Sequence, residues 1–210
     1  MIYINRMKQE SCPCVVINRK MDDNHFINVV TEDDLGAAKA TEHLIKLGHK
    51  RIAYIEGPDI NVVAPERLAG YRMALEKNDI PYDGSYVVSS NGMPDGGYAA
   101  MSHLLRLKMR PTAVFTYSDP VAMGAMRAIV IEGLNIPRDI AIVGFDNMVS
   151  SQFLVPALTS IDKPRTEMGR CAARMLLRVL NGEKLDNKFL KLETRLVIRE
   201  SCGALSPDFL

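Results

Sequence analysis

The sequence predicts an α/β protein built on doubly wound parallel sheet, and three observations predict it. Short β-branched runs alternate with amphipathic stretches along the chain. Each run is nearly continuous in apolar residues, as a strand buried on both faces of a parallel sheet must be. From Arg51 to Val143 the runs recur at roughly 30 residues, the size of a βαβ unit.

The runs are Cys14-Val15-Val16-Ile17, Arg51-Ile52-Ala53-Tyr54-Ile55, Tyr86-Val87-Val88, Thr112-Ala113-Val114-Phe115-Thr116 and Ile140-Ala141-Ile142-Val143. The helices between them carry end signals. Asp33 or Asp34 caps a helix to Lys46-Leu47, stopped by Gly48. Its apolar residues Leu35, Ala38, Leu44, Ile45 and Leu47 fall mostly on one face. Glu66 to Lys77 spaces Leu68, Tyr71, Met73 and Leu75 as a helix does. Asp95 opens a helix through Tyr98, Met101, Leu104 and Leu105. Ser118-Asp119-Pro120 pairs a capping side chain with Pro in the first turn, and that helix ends at Glu132-Gly133. Thr166 to Leu180 is the last long helix, stopped by Asn181-Gly182. Past Val143, Phe153-Leu154-Val155-Pro156 and Leu158-Thr159-Ser160-Ile161 read as short extended pieces. Phe189 to Ile198 reads as one strand.

The 210 residues allow one large domain or two small lobes. With 26 Lys+Arg against 25 Asp+Glu, the net charge of +1 gives no global field to attract nucleic acid or an anionic membrane. No apolar run reaches the ~18 residues that span a bilayer. The first residues are too short and soon too polar for a secretory signal. The 4 cysteines are too sparse for a disulfide scaffold, so the cytoplasm is the expected compartment.

Ligands of open parallel sheets bind outside the carboxyl ends of the strands. The interesting polar residues fall there. Asn18-Arg19 follows the first run. Gly57-Pro58-Asp59 and then Arg67 follow the second. Ser118-Asp119 follows Thr112–Thr116, and Gly144-Phe145-Asp146-Asn147 follows Ile140–Val143. They offer a guanidinium fork, carboxylates, hydroxyl and amide groups and one aromatic ring. That set suits a neutral ligand with many hydroxyls. Each residue alone also has a plain structural role, Asp146-Asn147 as turn residues and Ser118 as a helix cap.

Other motifs carry less. Cys12-Pro13-Cys14 has one intervening residue rather than two, and no second pair follows, so Cys14 reads as an inert core thiol and no metal is expected. His25, His43, His49 and His103 are scattered. Gly92-Met93-Pro94-Asp95-Gly96-Gly97 lacks both the dinucleotide fingerprint and the Lys-Ser/Thr ending of a phosphate loop. No Ser-His-Asp, Gly-x-Ser-x-Gly or paired-carboxylate pattern appears, so neither an enzyme nor a cofactor is expected.

Five ordered segments resemble the LacI/GalR family of bacterial transcription regulators. They are Ala40 to Ile55, Glu66-Arg67-Leu68-Ala69-Gly70-Tyr71, Arg110 to Phe115, Ile140 to Asn147, and Leu196-Val197-Ile198-Arg199-Glu200-Ser201. The resemblance runs from about Pro13 to Ser201. It implies a periplasmic-binding-protein-like type I fold of two Rossmann-like lobes joined by three crossovers, with effector in the cleft between them. It implies an N-terminal lobe of residues 1–30 and 163–187, incomplete, and a C-terminal lobe of 31–162 and 188–210. An incomplete first lobe would expose strand edges and apolar helix-packing surface. The family positions that touch effector fall on Asn18, Arg19, Arg67, Ser118 and Asp146. Asp119 and Phe145 complete the candidate set from their strand-end positions.

The chain departs from the family at Ser118-Asp119, where Asn-Asp is usual. It departs again in the apolar Ile60, Val62 and Val63, and at Gly92, where relatives often carry an aromatic. The helix-turn-helix of the family is not found in these residues. The resemblance therefore implies an effector-sensing and dimerising domain that binds a small molecule, a sugar, and controls operator DNA allosterically through a DNA-binding head outside this chain. The homodimer surface expected is Phe153-Leu154-Val155 with the helix through Met123, Met126 and Val130. The alternatives are a solute-binding protein of a sugar transport system and, less in keeping with the motifs, an α/β enzyme using a nucleotide cofactor.

Overall fold

The computed structural model describes residues 7, 10, 12–21, 23–58 and 63–205. In chain order its elements are β1 (Cys14–Ile17), β2 (Phe26–Thr31), α1 (Asp33–Lys46), β3 (Ile52–Glu56), α2 (Ala64–Lys77), β4 (Val87–Ser89), α3 (Pro94–Leu105), β5 (Ala113–Thr116), α4 (Asp119–Ile131), β6 (Ala141–Asp146), β7 (Thr159–Asp162), α5 (Arg165–Leu180), β8 (Phe189–Leu192) and β9 (Arg195–Val197). The chain divides into two compact units, Met1–Glu32 with Pro164–Glu193 and Asp33–Lys163 with Thr194–Leu210. It passes from one unit to the other at 32/33, 163/164 and 193/194.

The smaller unit holds a three-stranded parallel sheet in the order β1-β2-β8. Helix α5 packs on it through Met168 and Ala172, which meet Val29, Val15 and Leu190. Strand β2 is absent from the runs read in the sequence because Asn28 interrupts its apolar residues. Asn28 is buried all the same, and it is satisfied: Nδ2 donates to the Met21 and Phe26 carbonyls and Oδ1 accepts from the Met21 amide. Strand β1 is only half-buried, so Cys14 is not the core thiol expected; its Sγ lies 3.5 Å from Met7 Sδ.

The larger unit carries a six-stranded sheet in the order β4-β3-β5-β6-β7-β9. Its strands run parallel except β9, which pairs antiparallel with β7. Side chains alternate across each strand. Ala53, Ile55, Val114 and Ile142 face α3 and α4. Ile52, Tyr54, Phe115, Val143 and Phe145 face α1 and α2. Both layers fit closely because of single glycines. A Cβ on Gly70 would overlap the Asp34 carbonyl, and one on Gly124 the Pro94 carbonyl.

The chain leaves β3 toward β4 on one side and returns past it to β5 on the other, so the order reverses between β3 and β5. That switch opens a crevice outside their carboxyl ends. Two expectations change. The stretch Phe189 to Ile198 is two strands in two different sheets, β8 and β9. Phe153 ends a 3-10 turn, Val149–Phe153, rather than opening an extended piece.

Candidate functional site

The carboxyl ends of β3, β5 and β6 in the larger unit gather Arg67, Ser118, Asp119, Phe145 and Asp146. Arg67 stands one turn into α2, the helix that follows β3, and is 2% exposed. Its guanidinium lies between two rings, 3.7 Å from the Phe145 centroid and 4.6 Å from that of Tyr117. Its edge donors are engaged as well. Nε and Nη2 reach Asp33 Oδ2 at 3.0 and 2.8 Å, and Nη1 donates to the Tyr117 carbonyl. Nη2 also lies 3.6 Å from Asp146 Oδ1. Burial disfavours the charge, but the carboxylates of Asp33 and Asp146 outweigh it and hold the Arg67 pKa above its ordinary value.

Asp33 opens α1, where the sequence suggested a helix cap. It serves instead as a buried anion, 1% exposed. Lys163, beyond β7, places Nζ 3.3 Å from Asp33 Oδ1. Burial draws the Lys163 ammonium below its usual pKa, Asp33 opposes that, and the charge of Arg67 adds to it. Two cations thus share one buried carboxylate, and a second, Asp146, stands nearer the surface with 28% of its side chain exposed.

Asp146 ends β6 at φ 104°, and Asn147 follows at φ 48°. Non-glycine residues in this region carry strain of order 1–3 kcal/mol each and persist only where their surroundings hold them. Asn147 supplies that hold. Its amide donates to Ser160 Oγ, its Nδ2 to Asp162 Oδ1, and its Oδ1 accepts from Arg199 Nη2 at 2.7 Å. The turn thereby sets the Asp146 carboxylate beside Arg67 Nη2 with part of its side chain open to solvent.

Asp119 is fully buried. Oδ1 accepts from Ser160 Oγ, and Oδ2 from Ser151 Oγ and the Met148 amide, at 2.6–2.7 Å. Gly144 makes room for it, since a Cβ there would meet Asp119 Oδ1. Burial raises the Asp119 pKa, and these three donors partly offset the rise. Asp119 therefore ties the turn after β6 to the start of α4. Ser118 occupies the N-cap position of α4 without a side-chain cap bond, and its carbonyl accepts from Thr116 Oγ1 and the Ala122 amide.

Phe145 is corrected. It is fully buried, because the β6 alternation turns it toward α1 and α2, and Arg67 covers its ring. It is not an open platform for a ligand. Tyr117, 7% exposed, borders the same guanidinium at the strand ends. Asn18 and Arg19 belong to the smaller unit and are exposed beyond β1. Asn18 sits at φ 61° and its amide donates to the Val29 carbonyl.

Sequence reasoning missed Asp33, Tyr117 and Lys163. Only the strand-end rule could have flagged Tyr117 and Lys163, which follow β5 and β7 directly. Among the described residues no group of three or more His, Cys, Asp and Glu side chains could hold a metal ion. No described helix is long and apolar enough to cross a membrane.

A doubly wound six-stranded sheet with charged groups at its switch point is the architecture of a ligand-binding α/β domain, and the periplasmic binding protein-like domain family matches residues 41–202. The chain belongs more narrowly to the LacI family. It is 35% identical to a regulatory protein of LacI family from Chloroflexus aggregans, superposing with a TM-score of 0.89 over 95% of this chain and 72% of that one. It is 30% identical to a LacI family transcriptional regulator from Enterococcus faecium solved with bound ribose, with a TM-score of 0.87 over 98% and 76% of the two chains. It is 33% identical over 97% of its length to the probable HTH-type transcriptional repressor ExuR of Bacillus subtilis. The chain spans 61% of that repressor's length.

Proposed function

We propose that this chain is the effector-sensing part of a LacI-type transcription regulator and that it binds a small polyhydroxylated molecule, a sugar, outside the strand ends of the larger unit. The observation that carries the reading is the Arg67–Asp146 pair. Asp146 is the half-buried carboxylate of the cluster, a hydrogen-bond acceptor for ligand hydroxyls, and Arg67 Nη2 stands 3.6 Å from it as a donor. A ligand hydroxyl set against Asp146 meets an acceptor and a donor at once. Asp119, Asn147 and Phe145 position these two groups, and Ser118 lies beside them. Asn18 and Arg19 enter the same reading through the family likeness. The ribose complex of the Enterococcus faecium relative supports a sugar as the ligand class.

The regulator would act as a homodimer and reach its operator through a helix-turn-helix outside these residues. The exposed run supports the dimer: Val149 and Phe153 are each 75% exposed and Val155 is 91% exposed. Val130 and Ile131 at the end of α4 add a second exposed apolar strip. Met126, read from the sequence as part of this surface, is buried in the core instead.

Titration calorimetry with D-ribose, cellobiose and uridine tests the ligand. Binding of at least one of them, lost in Asp146→Asn and in Arg67→Met, is the expected result. Absence of heat with all three, or binding that survives both substitutions, overturns it.

A further inference from the structure

Helix α1 of the larger unit begins where the chain first enters that unit, at Asp33. The chain leaves the unit at Lys163 and re-enters it at Thr194. All three points are tied to the first half of α1. Lys163 Nζ reaches Asp33 Oδ1 and Oδ2 at 3.3 and 3.4 Å. Lys39 Nζ donates to the Thr194 carbonyl at 2.8 Å. Gly36 leaves the space that Thr194 Oγ1 and the Phe145 ring occupy.

The same Asp33 carboxylate is the main partner of Arg67, whose Nη2 is shared with Asp146. A buried carboxylate serving two cations cannot change its bond to one without changing its bond to the other. Near this cluster stands a polar atom with no counterpart. Tyr54 is fully buried, and its hydroxyl has no hydrogen-bond partner among the described residues. Its ring stacks on Phe115, which leans on Phe145 beneath the Arg67 guanidinium.

We propose that Lys163 is a positioning residue that carries ligand occupancy at Arg67 and Asp146, through Asp33, to the chain passage at Asp162-Lys163-Pro164. A ligand that accepts from Arg67 Nη2 competes with Asp33 for that donor and weakens the hold of Arg67 on Asp33. Asp33 then turns more fully to Lys163, and the passage beyond β7 tightens against the start of α1. Without a cation at position 163 the ligand is still held by Arg67 and Asp146, but the passage no longer responds. This inference rests on the ligand-binding reading above.

The test uses the full chain as wild type, Lys163→Met and Lys163→Arg. D-ribose, cellobiose and uridine serve as probes, with affinity read by calorimetry and amide hydrogen exchange read over residues 31–36 and 159–168. For a probe that gives heat, wild type should slow exchange in both segments by about fivefold or more. Lys163→Met should still bind the probe, with an affinity shifted by the lost coupling, and lose the slowing, and Lys163→Arg should recover both. The Nζ resonance of isotope-labelled Lys163 in wild type should also shift on adding the probe, a measurement that needs no folded variant. A Lys163→Met protein that keeps the slowing, a Lys163→Arg protein that fails to recover it, or an unmoved Nζ resonance overturns the proposal while leaving the binding reading intact. No heat with any probe overturns the binding reading and this proposal with it.

Discussion

Phe145 presents its ring face to the guanidinium of Arg67, whose central carbon lies 3.7 Å from the ring centroid. The contact terminates a row of rings that begins beneath α2. Tyr71 stacks on Tyr54 at 5.5 Å, Tyr54 on Phe115 at 5.1 Å, and Phe115 leans on Phe145 at 6.3 Å. The row is core packing at one end and a mount for a charged group at the other. A planar cation fits this mount because it can stack on rings above and below while its edge bonds to carboxylates.

Arg67→Met keeps most of the bulk and removes the charge and all the edge donors. Breaking a buried ion pair by deleting one partner costs about 3–5 kcal/mol. Asp33 keeps Lys163 as a partner, so the loss should fall at the lower end, about 3 kcal/mol by urea denaturation. Arg67→Lys should recover only part of it, because an ammonium neither stacks between Tyr117 and Phe145 nor spans Asp33 and Asp146 at once. Full recovery by lysine would show that charge alone holds the cluster.

The βα junctions were legible, and the cluster they support was not. The runs at β3, β5 and β6 are apolar on both faces, so periodicity and the helix stops between them placed the strand ends and with them Arg67 and Asp146. Asp33 looked like a helix cap because its partners are 34 positions away at Arg67 and 130 away at Lys163. No local pattern encodes a pairing of that range. Strand β2 was hidden by a buried Asn28, satisfied by the loop residue Met21 and by the Phe26 carbonyl of its own strand. The separation of β8 from β9 was hidden because adjoining residues enter different sheets, a tertiary event with no punctuation at Glu193-Thr194.

Asp119→Asn keeps the shape of the side chain but puts an amide donor among three donors. Leaving buried polar groups unmatched costs roughly 1–3 kcal/mol, and the turn at Met148–Ser151 should loosen. The sign of the pH effect follows from the raised pKa of Asp119. Between the unfolded value near about 4 and the higher folded value, the native state holds more protons than the unfolded chain. Stability from this group is complete below the unfolded value and is lost as pH rises through the folded one. The gap between wild type and Asp119→Asn should therefore be wider near pH 4 than near pH 7, as read from urea midpoints. A gap that widens toward neutral pH would contradict the direction.

His43 and His49 work in the opposite sense. Both have pKa values lowered mainly by burial, His43 with help from Lys46 and His49 from His43. His43 Nε2 contacts Cys202 Sγ at 3.2 Å, and His49 Nδ1 pairs with Thr112 Oγ1 at 3.0 Å. Below the unfolded value of about 6.5 the unfolded chain binds more protons than the native state. Stability is thus complete above that pH and falls as acid takes the pH toward the folded values. His49→Gln should flatten part of the decline between about pH 6.5 and 5 in thermal melts. An unchanged slope in the double variant with His43→Gln would assign the decline to other groups.

The exposed apolar run after β6 bears on assembly. Phe153 is 75% and Val155 91% exposed, and their neighbour Leu154 turns inward to pack on the core beside α4. The backbone is held by interactions that do not involve the two exposed side chains: Ser151 bonds to Asp119, and the Ala157 amide to Glu200 Oε2 at 2.7 Å. A run so firmly placed is a surface rather than a loose loop, and its apolar tips gain from burial at roughly 25 cal/mol per Å². Phe153→Glu with Val155→Asp should therefore leave the circular dichroism spectrum and thermal midpoint close to wild type. Light scattering should find wild type as a dimer and the double variant as a monomer at the same concentration, since two like charges would then face their own copies across a two-fold axis. A double variant that stays dimeric would move the interface elsewhere, first to the strip of Val130 and Ile131 on α4.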